Sequence, residues 1–192
     1  MTSGSVKNGG RHIRTPRILA TAVAVLIMLA FKRHYSLATA GQLDWILAPT
    51  ATLLAWLTPA QPVYESGVGY VDFARGIIVA PACAGVNFMI MTFGLGALCG
   101  LVNIRRTGPM WAWLPLSLAG AFGYTIIINT VRIFLSMMLY KADIYGGWVT
   151  IERIHRFGGI VIYLSALLFF FMGCQSLVRS RQRCRGATPP GL

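Results

Sequence analysis

Three side chains have the types for covalent chemistry and stand where an apolar chain has no evident need of them. Cys83 lies in Pro81-Ala82-Cys83-Ala84-Gly85-Val86-Asn87-Phe88. Arg132 closes Asn129-Thr130-Val131-Arg132, and His155 lies in Glu152-Arg153-Ile154-His155-Arg156. A cysteine, a histidine and an arginine together suit acyl transfer. A thiolate attacks a peptide carbonyl, imidazole takes and returns protons, and guanidinium stabilises the thiolate and the tetrahedral oxyanion. Each residue alone has a plain structural reading: a small buried residue, an interface anchor, a solvated imidazole. Their joint occurrence at one depth of a membrane protein carries more weight, because polar groups there are costly to keep.

Neighbouring polar residues support the same three positions. Pro81 suits the first turn of a helix, so Cys83 is expected in that turn, where the helix dipole favours a thiolate. Asn87 follows Cys83 by one helical turn. Asn129 precedes Arg132 by three residues on the same face, and Glu152 precedes His155 by three, placed to orient its ring.

Composition decides what must position them. The 192 residues are 56% hydrophobic and 11% charged, against about 25% charged in soluble domains. Too few charges remain to cover a water-facing surface, which argues against a soluble enzyme, a disordered chain and a free nucleic-acid binder. The net charge of +12 sits at the ends of apolar segments, where it sets membrane topology. The four cysteines, Cys83, Cys99, Cys174 and Cys184, are widely spaced. They form neither a disulfide framework nor a zinc signature, and no metal or cofactor is expected.

The apolar segments give an all-α membrane protein of one domain. Residues 1–12 read as a disordered tail, 13–180 as the transmembrane domain and 181–192 as a basic tail. The first apolar run, Ile18 to Phe31, is short, but Arg17 and Lys32 extend it by snorkelling. Ala38-Thr39-Ala40 resembles a signal-peptidase site, yet basic residues precede it, and the segment reads as a retained anchor. No charge occurs from Gly76 to Ile104 or from Thr107 to Val131, and Phe157 to Val178 forms the last span. Leu43 to Ala60 reads as an outer interfacial helix. Tyr70-Val71-Asp72-Phe73 and Gly76-Ile77-Ile78-Val79 read as a short extramembrane hairpin feeding the next helix.

Charge asymmetry orients the four spans. With Lys7, Arg11, Arg14, Arg17, Arg105, Arg106 and the four arginines from Arg179 to Arg185 in the cytoplasm, all five acids lie outside. Both termini are then cytoplasmic. Cys83, Arg132 and His155, from three separate helix ends, all fall near the outer face. Gly96 and Gly100 form a small-xxx-small pair for close packing within the bundle. Gly158 and Gly159 leave room for a substrate backbone or for helix packing. Trp45, Trp56, Trp111, Trp113 and Trp148 suit an aromatic belt.

Pro-Ala-Cys-Ala-Gly-Val-Asn-Phe, then Asn-Thr-Val-Arg-Ile, then His155 followed by Gly158 and an apolar span, resembles the exosortase/archaeosortase family and is most similar to its K-type exosortases. The resemblance covers roughly Gly67 to Phe171. It implies a polytopic cysteine transpeptidase or protease of the inner membrane, with Cys83 as nucleophile and Arg132 and His155 as partners. It also implies a membrane-anchored protein substrate whose carboxyl-terminal sorting signal has a transmembrane helix and a basic tail. Two other readings compete: a non-enzymatic polytopic subunit of a transport or secretion complex, and a haem or quinone protein using His34 and His155. The second is weakened by the position of His34 in a charged loop.

Overall fold

The computed structural model describes residues 9–104, 107–141 and 150–186. Among these residues, five α-helices and three short strands follow in the order α1 (Gly9–Leu37), α2 (Asp44–Leu57), β1 (Val63–Glu65), β2 (Gly69–Asp72), β3 (Ile77–Val79), α3 (Val86–Asn103), α4 (Thr107–Lys141) and α5 (Ile151–Gly186). Within α1, α3 with its preceding turn, α4 and α5, the stretches Thr15–Leu37, Pro81–Asn103, Pro109–Tyr140 and Arg156–Leu177 are long and apolar enough to cross a membrane. At fourteen residues, α2 is too short to do so. The helix α1 starts at Gly9, inside the stretch expected to be a tail.

Cross-contacts fix the helices as an up-and-down bundle. At one end Arg17 of α1 donates to the Ile104 carbonyl after α3, at 3.3 Å; at the other, Lys32 of α1 donates to Asn87 of α3, at 2.9 Å. Helices α1 and α3 are therefore antiparallel. Trp113 of α4 donates to the Gly96 carbonyl of α3 at 2.8 Å, and a Cβ at Gly100 would collide with the Trp113 ring. Gly100 thus admits an indole inside the bundle, which bonds to the Gly96 carbonyl, and Trp113 serves packing between helices rather than a belt. Tyr124 of α4 donates to the Ala166 carbonyl of α5 at 2.8 Å. Helix α3 is the most enclosed span, with α1, α4 and α5 around it. Ile18, Leu26, Leu164 and Phe169, on the outer helices, face outward as a lipid-solvated surface requires.

The segment before α3 forms a layer at the Lys32 end. Leu43, Ile46, Leu47, Thr50, Ala51 and Leu54 are buried, at the spacing of one helical face, and α2 packs that face on α4. Trp45 lies between Phe31 and Phe122, at centroid distances of 6.1 and 5.8 Å. The strands make an antiparallel meander in the order β1-β2-β3, with Tyr64 opposite Tyr70 and Tyr70 opposite Val79. The expected hairpin is its β2–β3 half. Val63–Glu65 adds a third strand beyond that hairpin, with all three residues exposed. Gly69, at φ +119°, lets β2 approach β3: a Cβ there would collide with the Val79 carbonyl oxygen.

The third span differs from its expected limits. α4 does not stop near Arg132 but continues nine residues to Lys141, about 14 Å of helix. Ile133 to Tyr140 is apolar enough to hold the helix. Arg132 thus stands within a span rather than at its end, and the protein itself must provide its polar contacts.

Candidate active site

The backbone around Cys83 departs from a simple helix start. Pro81–Cys83 makes one 3₁₀ turn, in which Cys83 N–H donates to the Ala80 carbonyl at 2.8 Å. Gly85 then adopts the left-handed conformation, φ +71°, as the residue before α3. Cys83 therefore precedes α3 and is not in its first turn. Pro81 opens the 3₁₀ turn instead, and the left-handed Gly85 separates that turn from the helix. The Cys83 side chain is partly exposed.

A chain of polar contacts leads from this turn into α4 and α5. The fully buried Asn129 donates its side-chain amide to the Cys83 carbonyl. Its Oδ1 accepts from the Tyr163 hydroxyl at 2.8 Å. That hydroxyl oxygen accepts from Arg132 Nη1 at 3.3 Å. The Tyr163 ring also lies 5.3 Å from the Arg132 guanidinium carbon and stacks on Phe88 of α3, with centroids 4.7 Å apart. Cys83 and Arg132 are thus brought to one end of the bundle, joined through Asn129 and Tyr163.

Two glycines make room for this arrangement. A Cβ at Gly85 would come within 3.2 Å of Thr125 Cγ2 and 3.3 Å of Asn129 Cγ. A Cβ at Gly159 would lie 2.8 Å from Arg132 Nε. The guanidinium therefore occupies the space that a side chain on α5 would fill. At Gly158 a Cβ would meet nothing within 4 Å among the described residues.

His155 and Glu152 belong to the first turns of α5, but their side chains lie outside the described residues. Their positions on the helix are informative. Gly159, Tyr163, Ala166 and Phe170 form the face of α5 that meets α3 and α4. His155 precedes Gly159 by four residues and Glu152 precedes it by seven, so both positions continue that stripe.

Asn87 is exposed and accepts from Lys32 of α1, so its amide belongs to the rim of the site. Lys32 also lies 5.9 Å from the Tyr35 ring, and the Tyr35 hydroxyl donates to the Pro81 carbonyl at 3.5 Å. His34 is exposed in the last turn of α1. Among the described residues, no group of three or more His, Cys, Asp or Glu side chains could hold a metal ion.

Sequence reasoning missed Tyr163, Gly159 as the seat of Arg132, and the Lys32–Tyr35 rim. The spacing 155, 159, 163 was available as a signal for Tyr163, because steps of four keep one helix face. Nothing in the sequence linked Lys32 to Asn87, fifty-five residues away.

A family model described as a transmembrane exosortase matches residues 10–172, a range that includes Cys83, Arg132 and His155. No curated protein and no solved structure matches the chain.

Proposed function

The chain belongs to the transmembrane exosortase family, and on that footing we propose that it is a cysteine transpeptidase or protease with Cys83 as nucleophile and Arg132 and His155 as its partners. The observation that carries this reading is the path from the Cys83 carbonyl through Asn129 and Tyr163 to Arg132. It ties the turn holding the thiol to an arginine seated on the α5 face that His155 continues.

The reaction runs in two steps. Cys83 Sγ attacks the scissile carbonyl carbon as a thiolate, and a carbon–sulfur bond forms. The oxyanion is stabilised by Arg132. Its collapse breaks the carbon–nitrogen bond, and His155 gives a proton to the departing amine. An acceptor amine, hydroxyl or water then attacks the thioester, His155 takes the acceptor's proton, and the carbon–sulfur bond breaks with Cys83 leaving as thiolate. Asn129, Asn87 and Glu152 support the site: Asn129 fixes the thiol-bearing turn, Asn87 its rim and Glu152 the imidazole.

The substrate is a membrane-anchored protein whose carboxyl-terminal signal has a transmembrane helix and a basic tail. Such a substrate diffuses laterally in the bilayer, so its scissile bond reaches the site at the depth of its own helix end. The charge asymmetry supports an inner-membrane protein with cytoplasmic termini and the site at the outer face. The Pro81-to-Phe88 motif supports the K-type subgroup. Residues 13–180 form the exosortase-like domain, with a basic tail at 181–192.

The test is processing of a candidate substrate in cells carrying Cys83→Ala, Arg132→Ala or His155→Ala, with protein abundance measured alongside. Each variant is expected to abolish processing at normal abundance. Unchanged processing by Cys83→Ala or Cys83→Ser would exclude the thiol mechanism and favour a non-enzymatic membrane subunit.

A further inference from the structure

The layer that carries the strands holds a hollow of about 420 Å³, lined by Gly41, Asp44, Tyr64 and Tyr70. The Tyr70 hydroxyl donates to Asp44 Oδ1 at 2.9 Å. The Tyr64 and Tyr70 rings meet edge to face, with centroids 5.5 Å apart. Gly41 leaves space for the Tyr64 hydroxyl, which a Cβ there would approach to 3.2 Å. The hollow thus combines two aromatic rings with a carboxylate.

Charge makes the combination specific. The chain has 17 Lys and Arg against 5 Asp and Glu, yet among the described residues Asp44 forms no salt bridge; the ion pair found there joins Arg75 and Asp72. A carboxylate has about four acceptor positions, and the Tyr70 bond uses one of them. Burial, and then the adjacent Asp44, push the Tyr70 phenol above its ordinary range, so Tyr70 remains a donor to the carboxylate. An anion entering the hollow meets Asp44, and an apolar group leaves the carboxylate unanswered. An organic cation satisfies both the carboxylate and the ring faces.

The hollow is close to the cysteine along the backbone. Tyr70 pairs with Val79, which precedes Cys83 by four residues. At 3.8 Å per residue the Cys83 Cα lies within about 15 Å of the Val79 Cα, and the Tyr70 Cα is about 5 Å further. Six extended residues cover that distance at about 3.3 Å each.

We propose that this hollow receives the ammonium or guanidinium head of a Lys or Arg side chain in the substrate polypeptide, within about six residues of the bond that is cut. The carrier of the cation rests on the transpeptidase reading; the preference for a cation does not.

Binding is therefore measured on Cys83→Ala protein in maltoside micelles, where no turnover is needed. The probes are Nα-acetyl-lysine amide, Nα-acetyl-arginine amide and the uncharged Nα-acetyl-norleucine amide, followed by saturation-transfer NMR. The two cations are expected to bind and norleucine amide to give no signal. Asp44→Asn retains Oδ1 for Tyr70, so the fold persists while cation binding falls about tenfold; Tyr64→Leu lowers it by a smaller factor. Equal binding of norleucine amide, or undiminished binding by Asp44→Asn, overturns the proposal. So does displacement of the lysine probe by added phosphatidylethanolamine, which would give the hollow to a lipid headgroup. A negative binding result leaves the thiol mechanism standing, because that is tested separately by processing.

Discussion

Asn129 fixes the position of Cys83 through the cysteine's own backbone: its buried amide donates to the Cys83 carbonyl while Tyr163 donates to its Oδ1. Asn129→Ala leaves a buried carbonyl and a hydroxyl without this partner, at about 1–3 kcal/mol for each group left unsatisfied. We expect lower thermal stability and a changed rate of Cys83 alkylation by a maleimide in the folded state. An unaltered alkylation rate would show that Asn129 stabilises the bundle without setting the thiol.

The two glycines at the head of α5 are expected to behave differently. Gly159→Ala puts a methyl 2.8 Å from Arg132 Nε and must displace the guanidinium, whereas among the described residues a Cβ at Gly158 meets nothing within 4 Å. Processing should fall at least tenfold in Gly159→Ala and remain near normal in Gly158→Ala, for ~1.4 kcal/mol of lost transition-state stabilisation or more. Equal activity of the two variants would detach the Arg132 seat from function.

Tyr163→Phe separates the hydroxyl from the ring. The stack on Phe88 at 4.7 Å is retained, while the link between Asn129 and Arg132 is lost. Stability should fall by about 1 kcal/mol, with abundance unchanged and kcat reduced more than KM is raised. A variant with full turnover would assign Tyr163 to packing alone.

The four spans, the antiparallel order and the convergence of Cys83 and Arg132 were legible because hydropathy and charge run the length of each segment. Detail failed where contacts across the sequence decide. A proline before Cys83 fits an α-helix start and a 3₁₀ turn equally well, and only the left-handed Gly85 distinguishes them. Arg132 looked like a helix end because a charge normally marks the membrane boundary. The vacancy at Gly159 and the hydroxyl of Tyr163 let it stand inside the span instead. The exposed strand Val63–Glu65 has no pattern of its own and forms because β2 offers it an edge.

Acid should loosen the layer around the hollow before it melts the bundle, and Asp72 is the group responsible. Its carboxylate accepts from Gln61 N–H at 2.9 Å and Arg75 N–H at 3.2 Å, with the Arg75 guanidinium at 3.6 Å. The Gln61 bond foremost, then those of Arg75, hold its pKa below the ordinary carboxylate value against the opposing effect of burial. A depressed folded pKa gives stability that is present above the unfolded value of about 3.9 and is lost as pH falls through the folded value. Amide protection of Val63 to Val79, corrected for intrinsic exchange, should therefore be level from pH 7 to 5 and decline below about pH 4. In Asp72→Asn it should already be reduced at pH 7 and decline less on acidification. An Asp72→Asn protein with wild-type protection at pH 7 and the same loss in acid would move the acid sensitivity to another carboxylate.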